Sequence, residues 1–89
     1  MDLDTLLIRY FGTADPGAVG AETLASGIER CQVDLGLEQY RGKRFALWAM
    51  LYLFGAAPDL KAVFAKQDDR DAARTFMDLL AAGESDAGE

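Results

Sequence analysis

Phe45-Ala46-Leu47-Trp48-Ala49-Met50-Leu51-Tyr52-Leu53-Phe54 is a run of ten apolar residues with no charge and no turn former inside it, closed by Gly55 and Pro58. The run is too long for a buried strand and too short for the ~18–20 residues that span a bilayer. A helix that is apolar on every side belongs inside a protein. Wound at ~100° per residue, the run divides into three stripes: Phe45/Trp48/Ala49/Tyr52, Leu47/Leu51/Phe54, and Ala46/Met50/Leu53 continuing to Ala57. The neighbouring segments must cover all three, or one stripe is left for another molecule.

The rest of the chain supplies short helices to do this. Ahead of Gly12, Leu3, Leu6, Leu7, Tyr10 and Phe11 recur at helical spacing, with Asp2 as an N-cap and Gly12 as the left-handed terminator. Thr13 to Gly20 contains Asp15-Pro16-Gly17, a turn former. Ala21 to Leu35 carries Leu24, Ile28, Cys31 and Leu35 on one face, and Gly36 is the expected stop. Gly27 inside that helix is costly unless another helix approaches closely there.

The apolar helix is expected to begin near Gln39, giving a span of about 39–54. Pro58 to Ala65 reads as a short helix with Leu60, Val63 and Phe64 inward. Asp68 and Asp71 resemble a capping box ahead of a last helix, Asp69 to Ala82, that Gly83 closes. No segment alternates with a strand's period. The fold class expected is all-α: a compact orthogonal bundle of four to five helices around a central apolar helix. Residues 1–83 form one domain, and 84–89 an acidic, disordered tail.

The chain has 89 residues and a formal charge of −6. Glu84, Asp86 and Glu89 lie in the tail, and without them the charge is about −3, ordinary for a soluble domain. An acidic balance disfavours nucleic-acid binding through phosphate neutralisation. The acidic N-terminus is unlike a secretory leader, and the lone Cys31 excludes an internal disulfide. A cytoplasmic location is expected, with no membrane association. Abundant Ala and an excess of Arg over Lys fit a GC-rich bacterial genome.

Histidine is absent, which removes the commonest general base and transition-metal ligand. Cys31 shares its stripe with Leu24, Ile28 and Leu35, the setting of a small buried hydrophobe rather than a nucleophile. The acids fall on solvent faces and caps, and Asp68, Asp69 and Asp71 lack the spacing of a calcium loop. No catalytic residue, metal or cofactor is assigned.

Three candidate sites remain. Ala46, Met50 and Leu53 form the stripe expected to stay uncovered and to meet a protein partner or a second copy of the chain. Trp48 and Tyr52 are candidates to line a pocket, since their polar tips need partners when buried. Arg41, Lys43 and Arg44, at the start of the apolar helix, are a candidate anion site. The expected function is a non-enzymatic protein–protein interaction or regulatory module, with small-anion or small-molecule binding through 41–44 as the alternative.

Overall fold

The computed structural model describes residues 3–87, and side chains as far as residue 83. The described residues form an all-α bundle of five helices: α1 (Leu3–Phe11), α2 (Ala21–Leu37), α3 (Arg41–Leu53), α4 (Leu60–Val63) and α5 (Gln67–Ala87). One 3-10 turn, Pro16–Ala18, lies between α1 and α2, where the Asp15 carboxylate accepts the Gly17 amide at 3.0 Å. No described helix is long and apolar enough to cross a membrane.

The apolar helix α3 is central, packing on α1, α2 and α5. Met50 and Leu51 are fully buried, and Trp48 and Leu47 nearly so. Around them the core gathers Leu6, Leu7, Tyr10 and Phe11 from α1, Cys31 and Leu35 from α2, and Ala73 from α5. Val63 and Phe64, at the end of α4, complete it.

Helix ends follow local chemistry, not glycine positions alone. Gly12 closes α1 at φ +79°, its amide donating to the Ile8 carbonyl at 2.8 Å. At the end of α3, Gly55 has φ +72° and its amide reaches the Tyr52 carbonyl at 3.0 Å, while Ala56 reaches Leu51 at 2.9 Å. Those two bonds are the Schellman pattern.

Gly36, by contrast, lies inside α2, which runs to Leu37 instead of stopping at Leu35. A left-handed residue is unnecessary there because Arg44 Nη1 satisfies the Leu35 carbonyl at 2.9 Å and the Glu38 carbonyl at 2.7 Å. Helix α3 starts at Arg41, two residues later than expected. The Glu38 carboxylate takes the amides of Gln39 (3.1 Å) and Tyr40 (3.5 Å), holding both in a capped turn.

Helix α4 is shorter than the expected Pro58–Ala65. Arg44 Nη2 takes the Val63 carbonyl, and Arg70 Nη1 takes those of Phe64 (2.9 Å) and Ala65 (3.0 Å), so they are satisfied without a further helical turn. Helix α5 begins at Gln67, which puts Asp68 and Asp69 in its first turn, where acids suit the dipole. It continues through Gly83 to Ala87, four residues into the stretch expected to be a disordered tail. A helical glycine costs only ~1 kcal/mol relative to alanine, too little to force a stop. The expected N-cap Asp2, and Gly88 and Glu89 of the tail, lie outside the described residues.

Candidate functional site

Helix α3 leaves an apolar strip of its surface partly open, and it is not quite the strip expected. Met50 is 0% exposed and belongs to the core cluster with residues of α1 and α2. It sits ~40° around the helix from Ala46, enough to turn it from the edge of the stripe into the packed interior. Met50 is therefore a core residue and not part of an interface. The open strip is Gly42, Ala46, Ala49 and Leu53, spaced i, i+4, i+7 and i+11. Ala46 and Leu53 keep their place on it.

This strip is the floor of a groove of about 440 Å³ between α1, α3 and α5. Leu3 and Leu6 form the α1 wall, and Phe76 and Leu80 the α5 wall. Phe45 lines the remaining part, and no charged residue contributes to the lining. The small side chains of Gly42, Ala46 and Ala49 set the floor back, while Leu53 at one end stays 48% exposed and Leu3 39%. A built Cβ on Gly42 would meet nothing within 4 Å. The groove has depth because α3 presents its smallest residues between two walls of leucine and phenylalanine.

The residues expected to line a pocket do something else. Trp48 is 1% exposed, and its indole Nε1 donates to the Pro58 carbonyl at 3.4 Å. Its ring stacks on Tyr52 at 5.3 Å and meets Phe64 and Phe76 edge-on, both at 5.9 Å. Trp48 is the hub of an aromatic core that fixes α4 and α5 to α3, and its polar tip is taken up by the Pro58 carbonyl. Tyr52 is half-buried against the same cluster. It also lines a shallow depression with Leu53, Gly55 and Ala57, apart from Trp48.

The basic turn does not gather its three cations on one point. Arg41 makes bidentate contact with Asp69 of α5, the shortest distance being 2.7 Å. Those hydrogen bonds hold the Asp69 carboxyl below the usual carboxylate range and Arg41 above its own. Arg44 spends its guanidinium on the carbonyls of Leu35, Glu38 and Val63, joining the ends of α2 and α4. Arg41 and Arg44 do share a cleft with Lys66, but Asp69 lies in it too, supplying the anion from within the chain. Lys43 faces a different cleft, its ammonium 5.2 Å from the centre of the Tyr40 ring.

A part-buried polar pair went unseen in the sequence. The Tyr10 hydroxyl donates to Asp34 Oδ2 at 2.5 Å, and Arg30 Nη2 donates to the Tyr10 carbonyl at 2.8 Å. The available signal was Tyr10 itself, on the inward stripe of α1 with a hydroxyl that burial obliges to find a partner. Burial, then the bond to Asp34, push the phenol above its ordinary range, so it stays protonated. Burial likewise pushes the Cys31 thiol up to about 12, with Asp34 adding to the shift. A thiol so held is not a nucleophile at neutral pH. Its Sγ lies 3.7 Å from the Leu47 carbonyl, in the packed interior.

Among the described residues, no three metal-ligating side chains converge. Comparison of the chain with protein-family models, with curated proteins and with solved structures gives no match in any of the three.

Proposed function

We propose that the chain is a non-enzymatic interaction module whose α1–α3–α5 groove receives the apolar side of a partner protein's helix. The observation that carries this reading is the groove lining: nine residues from three helices, none of them charged, around a Gly/Ala floor. Contiguous apolar surface rimmed by a soluble exterior marks association sites, and a helix laid into such a groove is a recurrent mode of recognition. Small floor residues let a partner backbone approach closely.

The electrostatics favour this reading over small-anion binding. Arg41 and Arg44 are committed to Asp69 and to three carbonyls, which leaves little of the basic turn for an external anion. A net charge of −6 would repel a second copy at long range and steer in a basic partner.

The test is site-specific photo-crosslinking in cells, with the crosslinker at position 53 on the groove or at position 61 on the exposed side of α4. A discrete adduct from 53 and none from 61 is the expected result. An adduct of twice the chain's mass identifies the partner as a second copy. Equal labelling at the two positions, or none at 53, overturns the proposal.

A further inference from the structure

We draw no further inference here: the strongest candidate, the cleft between α3, α4 and α5 lined by Arg41, Arg44 and Lys66, has Arg41 paired with the chain's own Asp69 carboxylate and Arg44 bound to the Val63 carbonyl, so nothing in it calls for an outside ligand.

Discussion

The ring of Phe11 lies over Gly27 in the space where any other residue would carry its Cβ. A Cβ built on Gly27 overlaps the Phe11 ring and comes to 2.7 Å from the Tyr10 carbonyl oxygen. Helix α1 therefore packs on α2 at backbone distance, and the glycine inside α2 is what permits it.

Two effects oppose each other in Gly27→Ala. Alanine improves helix propensity by ~1 kcal/mol, whereas forcing a methyl into a filled site costs about 1–3 kcal/mol. The Tyr10 oxygen is backbone and cannot swing away, so the steric term wins. Urea unfolding of Gly27→Ala should show a net loss of stability. Phe11→Leu in the same background should recover part of it, because the ring supplies the two shortest of the three close contacts. A stabilised Gly27→Ala would mean that the α1–α2 contact is looser than described.

Arg44 and Arg41 are three residues apart and predict opposite outcomes. Arg44 is half-buried and serves carbonyls from two helix ends; hydrogen bonds from charged donors contribute about 1.5–3 kcal/mol. Arg44→Ala should lower stability by roughly 2–4 kcal/mol, since it leaves several carbonyls short of a donor. Arg44→Lys should restore only a minor part, because one ammonium cannot reproduce a planar fork reaching toward both α2 and α4. Arg41→Ala breaks an ion pair whose arginine is 57% exposed, and its melting temperature should stay near wild type. Thermal melts of the three variants side by side check the contrast.

The fold was legible because its strongest signals are periodic. The ten-residue apolar run and the stripe Leu3/Leu6/Leu7/Tyr10/Phe11 specify helices without help from the rest of the chain. What stayed hidden depends on residues distant in sequence. Helix α2 passes through Gly36 because Arg44 caps it from α3, and α4 stops early because Arg44 takes its last carbonyl and Arg70 the two that follow. The stripe expected to stay open combined Ala46 and Leu53, which line the groove, with Met50, which is buried, since a rotation of ~40° is finer than a helical wheel can resolve without its neighbours. The pairing of Arg41 with Asp69 was not legible because the two lie 28 positions apart.

Cys31 links burial to alkaline stability. Near neutral pH the thiol is protonated in folded and unfolded chains alike. Above its ordinary value of 9.0 the unfolded chain releases the proton, while the folded chain holds it to about 12. The unfolded state then binds fewer protons, so stability falls as pH rises through that window. Tyr10 adds a loss of the same sign, beginning near its ordinary value of 10.0. Urea midpoints measured from pH 8 to 10.5 should decline, and the decline should be shallower in Cys31→Ala whatever its starting stability. At pH 8 a thiol-labelling reagent should modify Cys31 far more slowly in the native protein than in urea.

Met50 and Leu53 separate core from groove, although one turn of α3 holds both. Met50 is wholly enclosed, and truncating such a residue to alanine costs about 2–5 kcal/mol through lost transfer energy and the cavity left behind. Met50→Ala should therefore shift the unfolding midpoint substantially. Leu53 is 48% exposed in the last turn of α3, where a cation also complements the helix dipole. Leu53→Lys should change stability by less than about 1 kcal/mol, since little apolar surface is lost from the core. It nonetheless sets a charge into a groove that has none, and it should abolish partner capture monitored by a photo-crosslinker at Ala49. Retention of the adduct in a folded Leu53→Lys variant would mean that Leu53 takes no part in the contact. Loss of the adduct with an unchanged melt assigns binding to the groove and not to the stability of the bundle around it.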